Sequence, residues 1–215
     1  MAGAKLKQYR GRLTPAQIAE GMNAAIRTAR RLAEDARLLF DNGRFATAAS
    51  IAILAIEEAG KMSVLRGLST AKDRELHRDW KNYRSHTEKN RMTALLDYIA
   101  QGANRLEGFR DMFRPDAEHA QLFDSVKQLG FYSDCLGDAH WSEPSNVVDE
   151  KLSRFLLTLA EVVARTDLVT EREIELWARR FTDVPTSDMA ALTAALATGT
   201  RTCRGTVLLR RAITK

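Results

Sequence analysis

A small set of side chains in this sequence has the types and spacing that chemistry requires. Glu57, Glu58 and Lys61 close an apolar run, and Asn82, His86, Lys89 and Asn90 follow in a later charged segment. An imidazole is the side chain that both takes and gives a proton near neutral pH, and ammonium groups steady negative charge as it develops. On a helical projection His86 lies about 60° from Tyr83 and about 40° from Asn90, with Asn82 and Lys89 about one turn away on either side. These four form a polar patch on the border of a buried face, and a helical hairpin brings that patch toward Glu57, Glu58 and Lys61. On residue type alone His86 reads equally well as a hydrogen-bonded histidine at a helix interface, and Glu57 with Lys61 as a structural ion pair.

The elements that must position these residues are legible as helices. Residues 45–56 carry no charge on any face and are rich in alanine, so they read as a helix surrounded by other helices. A carboxylate at the end of such a helix needs a partner; Glu57 is expected to pair with Lys61, four residues on, and Glu58 with a donor from a neighbouring helix. Before it, Thr14, Pro15 and Gln17 make a capping-box start to a helix striped by Ile18, Met22, Ile26, Leu32, Leu39 and Phe40. Asp41, Asn42 and Gly43 end that helix, and so short a turn forces the two to run antiparallel. A third long helix is expected over residues 72–101, its buried face marked by Leu76, Trp80, Tyr83, Leu95 and Tyr98. A helix over about 115–129 follows, then an irregular stretch over 130–144. A helix over 146–165 and another capped by Thr170 and Glu173 come next, then one more in the tail beyond 186 and a basic end.

The 215 residues, 45% of them hydrophobic, suffice for a core of their own, and only four prolines and twelve glycines interrupt them. That scarcity of breakers argues for an all-α protein. No segment has signal-peptide or transmembrane character, so the expectation is a cytoplasmic protein without membrane contact. Cys135 and Cys203, far apart, fit a reducing compartment. The net charge of +5 is compatible with a nucleic-acid partner and with an ordinary protein surface alike. No glutamate stands three residues before any histidine, which removes the paired-carboxylate di-iron pattern. Asp134, Cys135, Asp138 and His140 lie close together but lack a second ligand cluster, and no phosphate-binding glycine loop is present. No metal and no cofactor is implied.

The order of motifs carries a resemblance. A long amphipathic helix, then AIEEAGK with Glu57, Glu58, Gly60 and Lys61, then W-x-x-Y-x-S-H-x-x-K with His86 and Lys89, then Tyr132, Asp134, Trp141 and Pro144, resembles the AbiV family of abortive-infection proteins of the HEPN superfamily. The likeness implies an HEPN-like antiparallel helical bundle with additional C-terminal helices. The expected division is residues 14–166 as the bundle and 167–215 as a helical extension packed on the same domain, ending in a basic tail.

It also implies phage defence through RNA or translation, at a metal-independent ribonuclease or RNA-binding site in a homodimer cleft. His86 would be the acid and base, Lys89 and Lys61 the cations facing phosphate, and Glu57 and Glu58 the residues holding the site in shape. Arg78, Asn82 and Arg84 would contact RNA. The sequence departs from the superfamily's Arg-x(4–6)-His spacing, because Arg78 lies about 80° round and about 12 Å along a helix from His86, and Arg84 lies nearly opposite it. The alternative is a non-catalytic helical interaction protein that binds a phage or host protein.

Overall fold

The computed structural model describes residues 7–85 and 118–184. Helix α1, Pro15–Asp41, starts with the expected capping box: the Thr14 side chain accepts from the Gln17 amide and the Gln17 side chain accepts from the Thr14 amide. It stops in a Schellman turn. Gly43 takes a φ of 72°, its amide donates to the Phe40 carbonyl, and the Arg44 amide donates to the Leu39 carbonyl.

Helix α2, Phe45–Thr70, therefore returns antiparallel along α1, and it is enclosed on all sides as its charge-free start requires. Ala48, Ala49, Ala52, Ala55, Ile53 and Ile56 are fully buried. Each isoleucine contributes about 1.5–3 kcal/mol relative to an exposed position, and the alanines let neighbouring helices approach.

Helix α3 runs Asp73–Arg84 and then stops, with Ser85 in an extended conformation. The expected helix over 72–101 is thus not continuous, and residues 86–101 lie outside those described. Local bonds close its end: the Ser85 amide donates to the Asn82 carbonyl, and the Arg84 guanidinium reaches back to the Trp80 carbonyl. Helix α4, Glu118–Phe131, matches the expected fourth helix with a shift of two or three residues.

The stretch expected to be irregular holds a small hairpin, β1 Asp134–Leu136 and β2 His140–Ser142, with Cys135 opposite Trp141. Gly137 and Ala139 both take positive φ in its turn, which is what reverses the chain. The helix expected over 146–165 is two pieces, α5 Pro144–Val147 and α6 Glu150–Ala164, because Asp149 caps the Leu152 amide and starts a new helix. Helix α7, Glu171–Phe181, opens with the expected Thr170 and Glu173 capping box.

Helices α1 and α6 cover one side of α2, and α4 packs on it as well. The link from α6 to α7 is strapped to α1. Asn23 exchanges two hydrogen bonds with the backbone of Val169, and Arg30 donates to the carbonyls of Ala164 and Thr166. Two apolar clusters result, and both use α2. One gathers Phe40, Ile53, Ile56, Leu156 and Leu157; the other gathers Ile18, Met22, Met62, Leu65, Trp80 and Ile174. Glu57, Glu58 and Lys61 fall between Ile56 and Met62, at the seam where one cluster gives way to the other. Among the described residues no helix is long and apolar enough to cross a membrane.

Candidate functional site

The seam separates two neighbouring carboxylates into two environments. Glu57 is buried, and its Oε1 accepts from Lys127 Nζ of α4 at 2.9 Å. Lys127 is buried too, and its ammonium also meets Asp124 Oδ1 at 2.8 Å. Burial works against the charged ammonium, but its hydrogen bonds to Asp124 and Glu57 outweigh that and hold the Lys127 pKa above the ordinary lysine value.

A close helix crossing makes this reach possible. The Ser50 hydroxyl lies 3.1 Å from both the Ala46 and the Lys127 carbonyl oxygens. A methyl group on Gly130 would come within 2.8 Å of the Ala46 carbonyl oxygen and would strike the Ser50 hydroxyl. Glycine at 130 lets α4 lie against α2, and Lys127 then sits within reach of Glu57.

Glu58 faces the other way and is half-buried, as is Lys61, one turn on, with which it forms a short ion pair. The expected partners are thus exchanged. Lys61 takes Glu58 instead of Glu57, and it is Glu57 that draws its donor from a neighbouring helix. Packing decides this: Glu57 points into the α2–α4 contact, whereas Glu58 and Lys61 share the side toward α3. There the Lys61 ammonium stands 5.6 Å from the centre of the Tyr83 ring. Tyr83 meets Trp80 edge-on at 5.5 Å, and Trp80 meets Tyr9 edge-on at 5.9 Å, so an aromatic chain leads from the seam to the N-terminal segment.

Of the remaining expected site residues, Arg78 is exposed and pairs with Asp79 at 3.1 Å, and Asn82 is half-buried at the last turn of α3. Arg84 holds structure: it donates to the carbonyls of Trp80 and Tyr9 and lies 5.1 Å from the centre of the Trp80 ring. His86 and Lys89, with Asn90, lie outside the described residues. The structure therefore brings Glu58 and Lys61 together beside α3 and turns Glu57 away to α4.

Lys127 and Asp124 escaped the sequence reading, although a signal was present. Phe123, Val126, Lys127 and Gly130 recur at i, i+3, i+4 and i+7, which puts a lysine on the buried stripe of a helix. Among the described residues no three histidine, cysteine, aspartate or glutamate side chains gather where they could hold a metal.

A mostly helical chain, its central helix enclosed by the others and broken by a carboxylate and lysine seam beside α3, defines an HEPN-like helical protein. The family described as AbiV matches residues 17–165, and the chain belongs to it. That membership makes it a protein of abortive infection, the defence in which a bacterium halts phage growth. No curated protein and no solved structure matches the chain.

Proposed function

We propose that the chain carries out this defence by acting on RNA, as a metal-independent endoribonuclease of the HEPN type working at a homodimer cleft. The observation that carries the reading is the half-exposed Glu58–Lys61 pair beside Tyr83, at the break between two apolar clusters in a chain of this family. In this reading Lys61 and Lys89 face the scissile phosphate and His86 moves the proton between the 2′-hydroxyl and the leaving oxygen. Glu58 fixes Lys61, and Glu57 acts at one remove by fixing α4. Arg78 and Asn82 steady the RNA beside the cleft.

The test is incubation of purified protein with total RNA beside His86→Ala and Lys61→Met. The expected result is cleavage by the wild type and a fall of about 10²-fold or more in each variant, with the helical signal unchanged. Equal cleavage by all three, or none by any, removes the ribonuclease reading.

A second reading has its own observation. Trp141 on β2 is 75% exposed and Tyr132 63% exposed, which suits the hairpin to grip a phage or host protein. Under that reading Trp141→Ala abolishes phage resistance in cells while His86→Ala leaves it intact.

A further inference from the structure

The outer face of α3 and the segment that precedes α1 form one basic surface, although about sixty residues of chain separate them. Trp80 Nε1 donates to the Gly11 carbonyl at 2.9 Å, Arg84 donates to the Tyr9 carbonyl, and Arg12 pairs with Asp73 at 2.7 Å. These three ties lay residues 7–13 along α3. The Tyr9 hydroxyl donates to the Arg12 carbonyl, which folds its ring back over Gly11 and against the edge of Trp80.

Arg74, His77, Arg78 and Lys81 recur at i, i+3, i+4 and i+7 and are all exposed, so they form one face of α3 spanning about 10 Å along its axis. Lys7, Arg10 and Arg12 are exposed on the docked segment beside it. Residues 7–13 and 72–84 together hold eight lysines and arginines against three acids, an excess equal to the net charge of +5 of the whole chain. Two of those acids are engaged by cations of the same surface, Asp73 by Arg12 and Asp79 by Arg78, and the third, Glu75, accepts from the Lys72 amide.

Tyr9 stands among these cations with 56% of its surface exposed. The large apolar side chains beside it, Trp80, Tyr83 and Leu76, are turned inward. A cationic row that tracks a backbone, with an aromatic ring open for stacking, is the pattern that binds single-stranded nucleic acid. A membrane-binding face would instead present several apolar side chains.

We propose that this composite surface binds the backbone of single-stranded RNA, with Tyr9 as a base-stacking platform and Trp80 and Arg84 as the positioning residues that build it. The proposal rests on the preceding reading only for its ligand being RNA; it uses neither His86 nor the Glu58–Lys61 pair. Arg84 acts here by holding Tyr9 in place, not by touching phosphate.

The experiment measures binding of the full chain to a labelled single-stranded RNA of about twenty nucleotides across a salt series. The triple variant Arg74→Ala/Arg78→Ala/Lys81→Ala is expected to reduce the log–log salt slope by about 2, from three lost phosphate contacts at ~0.7 each. Tyr9→Ala is expected to weaken binding roughly tenfold with the slope unchanged. All four positions are exposed, so the variants keep the fold, and circular dichroism checks this.

An unchanged slope and affinity in the triple variant overturns the proposal, as does stronger retention on anionic lipid vesicles than on RNA. The two readings fail separately. Cleavage that persists with an unaltered salt slope sinks this surface alone; loss of binding in the triple variant, with no cleavage by any protein, sinks the ribonuclease alone.

Discussion

Glu57 and Glu58 are consecutive residues with the same side chain, and the structure gives them opposite duties. Glu57 lies in a buried cluster with Lys127 and Asp124, where removal of one partner strands a charge without water. Glu58 pairs with Lys61 at a half-buried edge beside α3, where water and Tyr83 both moderate the loss. Along a helix, a 100° step is enough to move a carboxylate from a structural clamp to a position where a ligand can reach it.

The contrast can be broken most directly at Lys127. Lys127→Met leaves Glu57 buried without that ammonium and is expected to lower stability by about 3–5 kcal/mol, read from the urea midpoint. Gly130→Ala should come next, at about 1–3 kcal/mol, because the added methyl group forces α4 away from Ala46 and Ser50. A third variant sharpens the comparison within the cluster. Glu57→Gln leaves Lys127 paired with Asp124 and should cost less than Lys127→Met; an equal or larger loss would mean that Asp124 gives no compensation. Lys61→Met is expected to change stability by about 1 kcal/mol or less while abolishing any RNA cleavage, the reverse of the pattern at Lys127.

The pH dependence separates the two regions again, with the smallest effect. Because the folded pKa of Lys127 is raised, its contribution is fully present below the ordinary lysine value and is lost as pH climbs through the raised one. The stability gap between wild type and Lys127→Met should thus be flat through neutral pH and narrow only in strong alkali. Glu75 runs the other way. The Lys72 amide lowers its pKa, so its contribution holds above the ordinary carboxylate value and fades as pH falls through the lowered one. Urea midpoints of wild type and Glu75→Gln should converge at acid pH.

Much of the fold could be read in the residues because its signals are local. The capping boxes at Thr14 and Thr170, the Gly43 turn and the charge-free start of α2 each act within a few residues, and the structure holds all of them. The errors fell where the next residue competes with the last. Asp149 restarts a helix that apolar periodicity alone would continue, and Arg84 with Ser85 closes one that periodicity would extend. At the site, Glu58 and Lys61 were legible as a pair of charges at a helix end, but their pairing was not. Two arrangements, i to i+3 and i to i+4, lie within the same side-chain reach, and only the neighbouring helix excludes one of them.

By itself, then, the sequence determined that the chain is helical, where its main helices begin, which of them lies innermost, and which family it resembles. These follow from capping, from periodicity and from the order of motifs, none of which needs a distant residue. Tertiary packing alone decided that Lys127 belongs to Glu57 and that residues 7–13 lie along α3. The partners are seventy residues apart in one case and sixty-nine in the other, and what joins them is the space left by Gly130 and the reach of Trp80, which are properties of packed surfaces and not of a linear pattern.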